Sequence, residues 1–199
     1  YKIWVSEIIL QQTQIKKGII YYIKFINTFP NVKSLSKSSE TEILNMWQGL
    51  GYYNRALNML HTAKYVVKYY NGIFPSKYKK LIKLKGIGEY TASAISSICS
   101  NEPKAVLDGN VYRVLSRIYN VSAVINSSAG KKKMQTIADK LLPQSNTGIY
   151  NQAMMDFGSI QCVKHNPNCN ICPINNICIA FQKNTIHIRP VIKRKSKMK

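Results

Sequence analysis

Along nearly the whole chain the apolar residues recur at intervals of three and four, and no run alternates residue by residue between hairpin turns. That periodicity predicts an all-α fold. Helices are expected over residues 3–14 and over a second stretch with Ile19, Tyr22, Ile23 and Ile26 on one face, closed by Phe29-Pro30. A third opens on the capping box Ser39-x-x-Glu42 and runs through Ile43, Leu44 and Trp47, until Gly49 and Gly51 break it. A long helix from about Tyr53 to Tyr70 should end at Asn71-Gly72. Ser76 is placed to cap a short helix to Leu84, and Glu89–Cys99, Asn110–Tyr119, Lys131–Leu142 and Tyr150–Gln161 follow. Residues 183–199 lose the periodicity and end in the basic run Lys193 to Lys199, which reads as a solvated linker or tail.

A chain of 199 residues, 45% of them hydrophobic, holds one or two domains with a real core. It has no uncharged apolar stretch long enough to span a membrane, and no secretory signal is expected within these residues. The net charge is +21. Of the 29 basic residues 24 are lysine, as an AT-biased genome would produce, but that bias does not explain why only eight carboxylates are present. Such a field attracts a polyanion. Nucleic acid is the first expectation and an anionic membrane surface the rival.

Three constellations carry chemistry. Leu84-Lys85-Gly86-Ile87-Gly88 lies between two helices, where two glycines permit a sharp turn and expose backbone N–H groups suited to a phosphate. An ordinary tight connector is the plain alternative. Cys162-x6-Cys169-x2-Cys172-x5-Cys178 gathers four thiols in one loop that would bind Zn²⁺ or a [4Fe–4S] cubane. One C-x2-C with single outlying cysteines favours the cubane, since zinc ribbons pair two such knuckles. Cys99, alone in an apolar stretch, is expected to be a small core residue. The third is the pair of scarce acids Glu7 and Asp108. Glu7, beside Trp4 with Ile3 and Leu10 on its face, is expected to be half-buried and to hold its proton more tightly than usual. Asp108 stands before Gly109-Asn110-Val111, at a helix start that favours the anion. Two carboxyls under opposed pressure suit glycosidic-bond cleavage, although a surface acid and a helix cap are the bland readings.

Ser6-Glu7-Ile8-Ile9-Leu10-Gln11-Gln12-Thr13-Gln14, Trp47-x-Gly49-Leu50-Gly51-Tyr52-Tyr53, Leu107-Asp108-Gly109-Asn110-Val111, Asn151-Gln152-Ala153-Met154-Met155-Asp156 and the cysteine spacing together resemble the adenine DNA glycosylases. Leu-x-Gly-Ile-Gly-x-x-Thr-Ala, ending at Ala92, resembles the helix-hairpin-helix motif of the wider glycosylase superfamily. The resemblance covers about residues 1–180. It implies a six-helix barrel over residues 1–104 with the hairpin at 76–99, a helical [4Fe–4S] domain over 105–180, and a basic tail over 181–199. The chain opens on Tyr1 rather than Met, and the family's opening helix and C-terminal Nudix-like domain are not found in it.

By the same resemblance the chain excises adenine mispaired with 8-oxoguanine or guanine from double-stranded DNA, after flipping the base out of the stack. Glu7 would protonate adenine, Asp108 would stabilise the cationic sugar, Asn110 would position Asp108, and Tyr90 would stand beside the same pocket. Gln12 and Tyr52 would fill or wedge the stack near the opposite base, and Gly86 and Gly88 would grip a phosphate. Cys162, Cys169, Cys172 and Cys178 would hold the cluster. A monomer in the bacterial cytoplasm, at the nucleoid, is expected. Two rivals stand beside this reading. An endonuclease III-like glycosylase-lyase would need a lysine where Tyr90 stands, and a non-catalytic damaged-DNA-binding protein would not need Glu7.

Overall fold

In the computed structural model, residues 1–193 are described, and among them every regular element is helical. The all-α expectation holds. The chain divides between Glu102 and Pro103 into two units.

The first unit carries α1 (Lys2–Leu10), α2 (Ile15–Thr28), α3 (Val32–Ser36), α4 (Glu40–Trp47), α5 (Asn54–Tyr70), α6 (Tyr78–Leu81) and α7 (Glu89–Ser100). Its core joins Trp4 and Ile8 of α1, Phe25 of α2, Ile43 and Trp47 of α4, and Met59, Ala63 and Val66 of α5. These positions repeat at three or four residues, so each helix buries one stripe. The capping box at Ser39 is present, with Glu42 N donating to Ser39 Oγ at 3.2 Å and Ser39 N donating to Glu42 Oε2 at 2.7 Å.

Three details differ from the sequence reading. The first helix stops at Leu10 instead of running to 14, and Gln12 turns the chain with φ 56°. The short helix α6 is not capped by Ser76; the distant Glu102 carboxylate accepts from Tyr78 N at 2.7 Å. Cys99 is exposed rather than in the core, because α7 turns Ala92, Ile95 and Ser96 inward and this position outward.

The second unit carries α8 (Gly109–Ile118), α9 (Ser128–Leu141), α10 (Thr147–Ile160) and α11 (Ile179–Gln182). Val111, Leu115, Met134 and Ala138 form its core. Gly158 lets α10 lie against α8, since a Cβ there would meet Asn110 Cβ at 2.7 Å. The segment expected as a solvated tail is tied down as far as Lys193. Ile125 N donates to Val191 O at 2.9 Å, and Asn126 exchanges two hydrogen bonds with the Lys193 backbone. The rest of the basic run, 194–199, lies outside the described residues. No helix among the described residues is long and apolar enough to cross a membrane.

Candidate functional site

In the first unit, Glu7 sits mid-way along α1, half-buried beside the buried Trp4 and Ile8. The turn that follows presents Gln12 to solvent, and the turn after α4 presents Tyr52, which is 62% exposed. Arg55 is the anchor between them. Its Nη1 donates to Ile8 O at 2.8 Å and Gln11 O at 2.6 Å, and its Nη2 to Leu50 O at 3.3 Å and Gly51 O at 3.2 Å. The guanidinium thus satisfies carbonyls at the end of α1 that no further helical turn would reach.

The hairpin between α6 and α7 is built as a plug and a tip. Leu84 and Ile87 are buried, Ile87 N donates to Leu84 O at 3.1 Å, and Thr62 Oγ1 donates to Lys85 O at 2.8 Å. Gly86 is required twice over, by a φ of +80° and by Asn58, whose Cβ would lie 2.8 Å from an added Cβ. Gly88 is different. Its φ is −89° and nothing lies within 4 Å of an added Cβ, so neither backbone nor packing demands glycine there. It is the N-cap of α7, and as a glycine it supplies no side-chain cap to the positive end of the helix. Tyr90 follows in the first turn of the same helix, half-buried.

In the second unit, Asp108 is the N-cap of α8, as its place in the sequence predicts. Its Oδ1 accepts from Val111 N at 2.7 Å and its Oδ2 from Asn110 Nδ2 at 2.8 Å. Asn110 is held in turn by Arg113, whose Nη2 donates to Asn110 Oδ1 at 2.8 Å and also to Gly158 O, while its Nε donates to Cys162 O at 2.7 Å. A continuous chain of hydrogen bonds therefore runs from the carboxylate to the first cysteine. Behind it the buried Asn151 clamps the approach to Asp108, accepting from Val106 N at 3.1 Å and donating to Lys104 O at 2.8 Å.

The four cysteines line one pocket with Val114, Phe157, Ile174 and Phe181, and no carboxylate or imidazole lines it. Arg117, 2% exposed, spans the loop. Its Nη1 donates to Val163 O at 2.7 Å and lies 3.3 Å from Cys162 Sγ, and its Nη2 donates to Lys164 O at 3.1 Å. Burial pushes the Cys169 and Cys178 thiols up, and the neighbouring Cys162 and Cys172 push the same way. His165 is exposed. Among the described residues no three His, Cys, Asp or Glu side chains close on a single ion.

Arg55, Arg113 and Arg117 escaped the reading of the sequence. A signal for them existed: only five of the 29 basic residues are arginine, and these three use a planar fork to hold several carbonyls each, which lysine does not.

Residues 5–144 match the family described as "HhH-GPD superfamily base excision DNA repair protein". The chain is 47% identical over 186 residues to a protein named adenine DNA glycosylase from Buchnera aphidicola subsp. Baizongia pistaciae (strain Bp), covering 94% of this chain and 52% of that one. A second adenine DNA glycosylase, from Buchnera aphidicola subsp. Acyrthosiphon pisum (strain APS), is 46% identical over 180 residues, covering 90% and 51%. The chain spans about half the length of these curated relatives. Among solved structures, a thermostable thymine-DNA glycosylase superposes with a TM-score of 0.83 at 28% identity, over 92% of this chain and 84% of that one. On the length of the family match and the identity to these relatives, this chain belongs to the HhH-GPD superfamily of base excision DNA repair proteins.

Proposed function

We propose that this chain is the excision core of a monofunctional adenine DNA glycosylase, acting on adenine opposite 8-oxoguanine or guanine in duplex DNA. The observation that carries the reading is the carboxylate of Asp108, held by Val111 N and Asn110 Nδ2 in a chain 47% identical to a named adenine DNA glycosylase. In the excision step the C1′–N9 bond breaks and its electron pair leaves on adenine. Glu7 gives its proton to adenine N7, and the Asp108 carboxylate stabilises the oxocarbenium ion. Water then adds to C1′ and its proton returns to Glu7, which restores the acid. Asn110 keeps Asp108 in place. Tyr90 stands where a lyase would carry an amine, and a phenol forms no imine, so the abasic strand stays unbroken. Gln12 and Tyr52 meet the stack, and the amides beside Gly86 and Gly88 take a phosphate.

Cys162, Cys169, Cys172 and Cys178 are the residues that would hold a [4Fe–4S] cluster. The all-thiol donor set around one pocket supports this, as does the buried Arg117 cation beside Cys162 Sγ. Bound there, the cluster would supply four iron–thiolate bonds that lock the loop, and so, through Arg113, the Asn110–Asp108 pair. Analysis of the purified protein is expected to find about four irons and as much sulfide per chain. One zinc and no sulfide would reject the cluster.

The test of function is a single-turnover assay on a duplex with adenine opposite 8-oxoguanine. Strand breaks should appear after alkali and be absent without it. Breaks without alkali would favour the lyase, and no abasic sites at all the non-catalytic binder.

A further inference from the structure

Outside glycine, left-handed backbone occurs at eight of the described residues, and six of them are asparagine. Asparagine tolerates that region because its short amide bonds locally. The two others are Gln12 at φ 56° and Tyr52 at φ 49°, and neither side chain has that relief. Burial does not compensate for the strain, since both side chains are exposed. Strain of this kind persists only where the surroundings over-determine it.

Both strained residues follow a carbonyl held by the same side chain. Arg55 Nη1 donates to Gln11 O at 2.6 Å, and Arg55 Nη2 donates to Gly51 O at 3.2 Å. The φ of a residue is measured against the peptide plane before it, so holding those two carbonyls fixes one of the two planes that set φ at Gln12 and at Tyr52. Trp47 Nε1 adds a second donor to Gly51 O at 3.0 Å. The guanidinium also lies 5.2 Å from the Trp47 ring and 5.7 Å from the Tyr52 ring. One planar fork reaches both turns at once, which the point charge of lysine does not.

We propose that Arg55 is a positioning residue that clamps the two turns in left-handed backbone, so that Gln12 and Tyr52 meet the duplex already arranged. The second half rests on the reading of those side chains as groups that enter the base stack.

The test is Arg55→Lys in the full chain, read first without DNA. Amide exchange in segments 9–13 and 50–54 should accelerate about tenfold while the core of α5 keeps its protection. Unchanged exchange at both turns overturns the clamp. A double-mutant cycle covers the case in which the variant is too unstable for exchange. Glycine needs no clamp, so Arg55→Lys should lower Tm less in a Gln12→Gly/Tyr52→Gly background than in the wild type. An equal loss in both backgrounds marks Arg55 as merely structural and overturns the proposal.

The DNA arm uses a duplex with 2-aminopurine beside the base opposite adenine. Wild-type binding should raise its emission by unstacking, and Arg55→Lys should remove the rise. In a Gln12→Ala/Tyr52→Ala background Arg55→Lys should change nothing further. If Gln12→Ala/Tyr52→Ala itself keeps wild-type emission and affinity, the stack reading fails and the presentation to DNA with it. The exchange result still decides the clamp.

Discussion

The helix that starts at Gly88 and the helix that starts at Asp108 carry the same positive end of a macrodipole and fill it in opposite ways. At Asp108 the chain supplies its own anion, bonded to Val111 N and Asn110 Nδ2 and braced through Arg113 to the Cys162 carbonyl. At Gly88 there is no side-chain cap, and space is open where a side chain would project. Under the proposed function the first arrangement fixes a resident charge for chemistry, and the second receives a charge that arrives with the ligand. The difference teaches that a glycine which neither φ nor packing requires is open to a partner's demand, whereas Gly86, at φ +80° against Asn58, is required by the fold before any phosphate is considered.

The largest effect expected is on the proton donor. Glu7→Gln should lower excision by about 10²–10⁴-fold at unchanged DNA affinity, because the amide keeps shape and hydrogen bonding without a transferable proton. Near-normal excision would remove Glu7 from the mechanism and leave the Asp108 carboxylate as the one acidic side chain assigned to it. Next comes the brace. Arg113→Met should cost about 1–3 kcal/mol of stability by leaving Asn110 Oδ1 and the Cys162 and Gly158 carbonyls short of a donor. Excision by this variant should fall further than its folded fraction, measured by circular dichroism. Equal falls would mean that Arg113 supports the fold and not the carboxylate.

The smallest effects separate the two glycines. Gly86→Ala should lose at least about 1–2 kcal/mol in denaturant unfolding, the usual cost of a Cβ in left-handed backbone, with the contact against Asn58 added to it. Gly88→Ala should change stability by under about 0.5 kcal/mol, as an exposed substitution without strain does, yet weaken DNA binding measurably. Equal stability losses would erase the distinction between them.

Local chemistry was legible in the sequence and long-range chemistry was not. The Ser39–Glu42 box, the Asp108 cap and the glycine hairpin each declare themselves within four residues, because capping and turning are local events. Helix α3 was missed although Asn31 and Ser34 form a capping box, since five residues give no periodicity to read. The end of α1 was overrun because its stop is a tight turn without glycine or proline, Thr13 N donating to Leu10 O at 3.2 Å with Gln12 at φ 56°. The side chain that meets it, Arg55, lies 44 residues beyond Gln11. The partners of Asp108 show the same divide. Asn110 lies two residues away and was identified, whereas the link to Cys162 passes through Arg113, 49 residues distant from it. Cys99 misled because an apolar neighbourhood in sequence does not say which way a helix faces.

Under the proposed function the start of α8 does chemistry and the start of α7 holds DNA. This division is tested most directly by single-turnover kinetics of Asp108→Asn and Gly88→Glu on one duplex with adenine opposite 8-oxoguanine, with Kd and the excision rate at saturation measured separately. Asparagine caps a helix as well as aspartate does, so Asp108→Asn should keep its fold and Kd while the rate drops about 10²–10³-fold. Gly88→Glu sets a fixed anion where the phosphate would lie, and should raise Kd about tenfold or more while the rate at saturation stays near wild type. The opposite split, or equal losses of rate and affinity in both variants, would contradict the account.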